Sequence, residues 1–310
     1  MIRVLSAGLL TTVQDLGRPG LGALGVPRGG AADAHALRLG NLLLGNDAGA
    51  AALEATLAGP ELVFEEPALV ALAGAPFDAR LDGEPVPPWE AFEVGAGARL
   101  YVGRALSGAR AYLCVRGGLD VPAVLGSRST DVATGFGGHE GRPLGPGDVL
   151  PVGSAPRPPR GRRVAAAAAR WSGPRRDLRV TAGPQAGLFT RETLAAFRER
   201  SFRVSASSSR TGVRLEGEPL AAPAGSLVTE GVVPGAIQVP PSGLPIVLLV
   251  EHPATGGYPK IGSVISADLS ALAQLRPAEE VRFAPVSLEE ARRLLLDREA
   301  RLGAPGVFLP

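Results

Sequence analysis

Apolar residues fall in short runs bounded by Gly, Pro or Asp, not in long stripes of helical period. In the first half the runs predict strands at 2–5, 61–64, 68–73, 99–102 and 109–115. In the second half they predict strands at 178–181, 202–204, 236–239, 246–250 and 281–284. Helices are few. Asp33 is placed to cap one through 34–44, and Thr190 one ending near Arg200. Ser287 with Glu290 forms a capping box that opens 288–302, and Gly303 stops it. Many short strands with few helices point to barrels or sandwiches.

Two domains are expected, 1–155 and 175–310, joined by a linker over 156–174 where Pro, Arg and an alanine tract gather. The halves echo each other faintly: Gly22-Ala-Leu-Gly-Val-Pro-Arg-Gly29 resembles Gly235-Ala-Ile-Gln-Val-Pro-Pro-Ser-Gly243. A structural duplication is one explanation.

Composition narrows the class. The 310 residues are 45% hydrophobic, with 42 Gly and 29 Pro and no Gly-X-Y period, so collagen-like and disordered chains lose weight. The net charge is +2, so no strong polyanion-binding signature exists and nucleic acid is not an expected partner. The basic stretch 157–176 reads as a solvated linker. A single Cys, Cys114, rules out an intrachain disulfide and a Cys-based zinc site. No apolar stretch has the length of a membrane span, and no signal peptide is legible, so a soluble cytoplasmic protein is expected.

Scarcity flags particular residues. One Lys, Lys260, stands among 31 Arg, and Asn41 and Asn46 are the only asparagines. A GC-rich codon bias explains the depletion, and survivors of it gain interest. Asn46 suits a left-handed helix C-terminus, and Asn41 an amide bonded to buried backbone. Lys260 closes Thr255-Gly-Gly-Tyr-Pro-Lys260, just after the apolar run 246–250. A turn at Gly256–Gly257 would aim backbone N–H groups at an anion, with Lys260 adding charge and Tyr258 a hydroxyl. A glycine hairpin with a surface lysine is the plainer alternative. Arg210 and Arg214 could clamp a carboxylate, or pair with acids at strand edges. Glu230 and Gln238 could aim at a pocket, and Gln238 could equally point outward from an edge strand. The three His lie far apart and lack metal-ligand spacing, so no metal site is expected. His139 is a polar turn residue or a catalytic candidate. No P-loop and no Gly-x-Ser-x-Gly elbow occur.

Ordered blocks along nearly the whole chain carry a family resemblance. They are Thr11-Thr-Val-Gln-Asp-Leu-Gly-Arg18, Asn41-Leu-Leu-Leu-Gly-Asn46, Arg116-Gly-Gly118, Gly126-Ser-Arg-Ser-Thr130, Ser209-Arg210, Gly235-Ala-Ile-Gln-Val-Pro240 and Thr255–Lys260. With them the chain resembles the biotin-dependent carboxyltransferase family, also labelled allophanate hydrolase subunit 2. The resemblance implies a mainly β chain with two cyclophilin-like β-barrel domains. It implies a hydrolase component working with the A and B subunits of a 5-oxoprolinase in ATP-dependent opening of 5-oxo-L-proline to L-glutamate, ATP entering with Mg. For that chemistry we expect Lys260, Tyr258 and Glu230 to be catalytic and Arg210, Gln238, Thr255 and Arg214 to bind substrate, an assignment made from the residues themselves and not from the family label. Gly256 and Gly257 would hold phosphate. Two other implications stay open: the carboxyl-transfer part of a biotin-dependent urea or amide carboxylase, and a non-catalytic regulator binding a kinase inhibitor that resembles the B subunit. Ala254-Thr255 replaces the Thr-Thr of many relatives, which puts an upstream hydroxyl contact in doubt.

Overall fold

The computed structural model describes residues 1–155, 157–224 and 227–310. The chain is mostly β, with five α-helices among the described residues, and separates into two compact units. One comprises residues 1–18, 29–173 and 301–310; the other comprises 19–28 and 174–300.

The first unit packs a six-stranded sheet against a five-stranded one. Ile2, Leu62, Phe64 and Leu100 of the first sheet meet Leu53, Val70, Leu72 and Leu113 of the second in one core. The strand Arg110–Val115 is buried on both faces, which explains its unbroken apolar run. Ala111, Leu113 and Val115 face that core, while Tyr112 and Cys114 face the helix Ala34–Leu43 and its Leu37, Leu39 and Leu43. Asp33 caps this helix by accepting the Ala36 N–H. Residues 157–173 belong to this unit: Arg163–Val164 pairs with Phe308–Leu309, and Ala166–Ala169 is a short helix.

The two asparagines are buried and linked. Asn41 donates to the Ala50 carbonyl, as its expected role requires. Gly45, with φ of 77°, takes the left-handed position expected of Asn46. Asn46 instead donates to Asn41 Oδ1 and the Val115 carbonyl and accepts from the Gly117 N–H. Losing these bonds in Asn46→Ala should cost roughly 2–4 kcal/mol, read as a lower urea midpoint with unchanged slope. An unchanged midpoint would refute that role.

The second unit is a closed seven-stranded barrel. Its strands run in the order Asp177–Ala182, Lys260–Val264, Ala236–Gln238, Ile246–Leu248, Gly212–Glu216, Phe202–Val204 and Glu280–Pro285. Parallel pairing of Glu280–Pro285 with Asp177–Ala182 closes the ring. Phe283 stacks on Phe197 of the helix Arg191–Glu199, ring centroids 4.7 Å apart. The echoed segments at 22–29 and 235–243 fold differently: Gly22–Leu24 is a single 3-10 turn whereas Ala236–Gln238 is a barrel strand.

Candidate active site

Lys260 begins a barrel strand and is buried, its residue only 3% exposed. A register shift puts one extra residue, Ile261, opposite the partner strand, so Gln238 pairs directly with Lys260. A bulge of this kind re-aims side chains locally. Directly opposed antiparallel residues project to the same face, so Gln238 and Lys260 share one face of the strand pair.

A two-residue ribbon completes the group. Glu230–Gly231 pairs with Thr255–Gly256, with Glu230 opposite Gly256. Glu230 Oε1 lies 2.7 Å from Lys260 Nζ. That contact is an ion pair whose angles are not those of a hydrogen bond, and Nζ has no hydrogen-bond partner among the described residues. Gln185 also reaches the cluster. It donates from Nε2 to Glu230 Oε1 at 2.8 Å and accepts the Lys260 backbone N–H on Oε1 at 3.2 Å. The Lys260 ammonium first, and the Gln185 amide second, hold the Glu230 carboxyl below its usual value. Glu230 is therefore an acceptor at neutral pH and not an acid.

The Thr-Gly-Gly segment differs from its expected form. Thr255–Gly256 is a ribbon strand, and neither Gly256 nor Gly257 has a positive φ. A Cβ at Gly256 would lie 2.4 Å from Gln238 Nε2, so a larger residue there would displace that carboxamide. Thr255 is exposed. Tyr258 is 44% exposed and lines a cleft of about 440 Å³ with Ala222, Pro223, Leu227, Val239 and Pro241. Neither Lys260 nor Glu230 lines that cleft.

Arg210 Nε donates to Glu251 Oε1 at 2.6 Å, with both side chains buried. Arg214 stands on the exposed face of Gly212–Glu216, where Val213 and Leu215 are buried. His252 is buried, donates Nδ1–H to the Pro253 carbonyl at 2.7 Å, and is pushed below its usual value by burial. His139 lies 3.3 Å from Asp148, whose carboxyl Arg142 grips through two 2.8 Å bonds and holds far below the usual range. Among the described residues, no group of three or more His, Cys, Asp or Glu could hold a metal ion. No helix among them is long and apolar enough to cross a membrane.

Gln185 went unnoticed in the sequence. Its signal was scarcity: there are four glutamines, and Gln14, Gln238 and Gln274 are buried.

The carboxyltransferase domain model (subdomains A and B) matches residues 24–285, and the chain belongs to that family. Its relatives include the C subunit of 5-oxoprolinase from Escherichia coli, 42% identical over 96% of both chains. The namesake from Haemophilus influenzae is 36% identical over 97% of this chain and 96% of its own. Urea amidolyase of Lachancea kluyveri is 33% identical over 96% of this chain, which spans 18% of that enzyme. Among solved structures, the K. lactis urea amidolyase superposes with a TM-score of 0.89 at 33% identity, covering 100% of this chain and 20% of that one. The structure of TTHA0988 gives 0.80 at 39% identity, covering 91% of this chain and 55% of that one.

Proposed function

We propose that the chain is the C component of a 5-oxoprolinase that opens 5-oxo-L-proline to L-glutamate with ATP, in company with A and B subunits. The observation that carries this reading is end-to-end similarity to proteins named as the C subunit of 5-oxoprolinase, at 42% over 96% of both lengths. The buried site supports it chemically. A lactam presents one C=O acceptor and one N–H donor. Lys260 supplies a donor and Glu230 an acceptor, with Gln238 alongside.

The fit to ATP itself is poorer at this spot. A triphosphate wants several cations or a nest of backbone N–H groups. Here one ammonium stands beside a carboxylate, and Gly256–Gly257 forms no positive-φ nest. We therefore assign the lactam to Lys260 and leave the nucleotide to another part of the assembly. Lys260 would hold the lactam oxygen and offset negative charge growing there. Phosphoryl transfer from ATP to that oxygen breaks the bond to the β-phosphate oxygen and turns C=O into C–O–P. ADP leaves, water adds to the ring carbon, the C–N bond breaks and the nitrogen takes up a proton, which leaves the γ-carboxyl as an acyl phosphate; a second water then cleaves that group to give glutamate and inorganic phosphate.

One observation favours a second reading, carboxyl transfer served by biotin on another chain: the TM-score of 0.89 to a urea amidolyase. A ureido group offers the same C=O and N–H pattern as a lactam. The test is ATP-dependent glutamate release by the purified subunits, each omitted in turn. Omitting this chain should reduce release to background. An unchanged rate would overturn the reading, and bicarbonate- and biotin-dependent carboxylation of an amide would favour the second.

A further inference from the structure

Two contacts at the site share one oxygen. Glu230 Oε1 receives both the Lys260 ammonium and the Gln185 Nε2–H. Oε2 has no hydrogen bond among the described residues, and the Glu230 side chain is 45% exposed. The carboxylate is thus held by one oxygen and open at the other.

The chemistry of residue 185 is narrowly defined. Its Oε1 must accept, because it faces the Lys260 backbone N–H; its Nε2 must then donate, and it faces a carboxylate. Only a side chain carrying both functions satisfies both neighbours. A glutamate would put two carboxylates together, and a methionine would leave the Lys260 N–H unpartnered. The surrounding backbone fixes the distance. Gly183 N–H donates to the Ile261 carbonyl, and a Cβ at Gly183 would lie 2.1 Å from the Lys260 carbonyl oxygen. The turn carrying Gln185 is therefore pressed against the strand carrying Lys260.

We infer that Gln185 is a positioning residue that makes Glu230 a one-sided acceptor, presenting Oε2 to the N–H of a bound cyclic secondary amide. The inference rests on the lactam reading given above, and it adds a selection rule. Substrates must carry a ring N–H. An isosteric lactone places a ring oxygen against Oε2, lone pair against lone pair, and is rejected. The charge environment is simple. Among the described residues Lys260 is the one charged group acting on Glu230; Thr229, Gly231 and the ribbon partner Gly256 carry no charge, and Gln185 is neutral. Removing the Gln185 donor raises the pH at which Glu230 protonates. Activity that needs the carboxylate then begins to fail at higher pH as the solution is acidified.

The test uses the assembled enzyme with 5-oxo-L-proline as substrate and the matching γ-lactone as competitor. The wild type should bind the lactone weaker than the lactam by a factor on the order of 100 or more. Gln185→Met should shrink that factor at least roughly tenfold and move the acid limb of kcat/KM to higher pH. Lactone and lactam binding alike, or a variant with both properties unchanged, would overturn the inference. A second measurement does not depend on turnover: carbon-13 NMR titration of the Glu230 carboxyl in the isolated full chain. Its midpoint should rise in Gln185→Met, and an unmoved midpoint overturns the inference. An inactive wild-type assembly combined with a raised midpoint would instead remove the lactam reading and leave the Gln185 geometry standing.

Discussion

Replacing Lys260 by Met should abolish turnover while leaving the protein folded. Methionine matches the length and shape of the lysine stem, so the barrel strand keeps its packing. What disappears is the ammonium at the centre of the site. If it offsets charge on the substrate oxygen, its loss should lower kcat by a factor on the order of 10²–10³, as removal of a comparable oxyanion donor does. Stability should move little. The partner Glu230 is half exposed and can turn to water, so the pair contributes no more than an exposed bridge. Lys260→Arg should fail as well, because a planar guanidinium does not fit a 3%-exposed position directly opposite Gln238. The measurements are ATP-dependent glutamate release and the thermal midpoint. Turnover within a few-fold of wild type in either variant would remove Lys260 from the chemistry.

This lysine stood out in the sequence by scarcity, but its surroundings did not. Its partners Glu230 and Gln185 lie 30 and 75 positions away along the chain (260 less 230, and 260 less 185). Local pattern carries no information at that range. Short apolar-rich strands bounded by turn residues were legible: 61–64 and 202–204 match to the residue. Lys260–Val264, reading Lys-Ile-Gly-Ser-Val, was not, because its burial and bulge are set by pairing with Ala236–Gln238 and not by its own alternation. The same limit applies to Thr255–Gly256. Two glycines beside a threonine suggest a turn, and it takes the Gln238 side chain to show that Gly256 is small for lack of room. Helix ends fared better, because caps are local: Asp33, Thr190 and Ser287 each accept the expected backbone N–H.

Arg210→Met should destabilise the second unit strongly, and the way it does so separates two roles for this arginine. Its side chain and that of Glu251 are 4% and 6% exposed, and Nε lies 2.6 Å from Oε1. Removing the guanidinium leaves a buried carboxylate without that counter-charge, a change that costs about 3–5 kcal/mol in buried pairs. For a unit of this size the thermal midpoint should fall on the order of 10 °C. Adding Glu251→Gln removes the stranded charge, so the double variant should recover much of the loss, giving a coupling energy of at least roughly 1 kcal/mol. The backbone argues the same way, since the Glu251 N–H donates to the Arg210 carbonyl and ties the two residues twice. A substrate clamp would behave differently: KM for 5-oxo-L-proline would rise with the midpoint unchanged, and Glu251→Gln would restore nothing. A residue that must neutralise a buried glutamate has little charge left for an incoming carboxylate. The structural outcome is therefore the expected one.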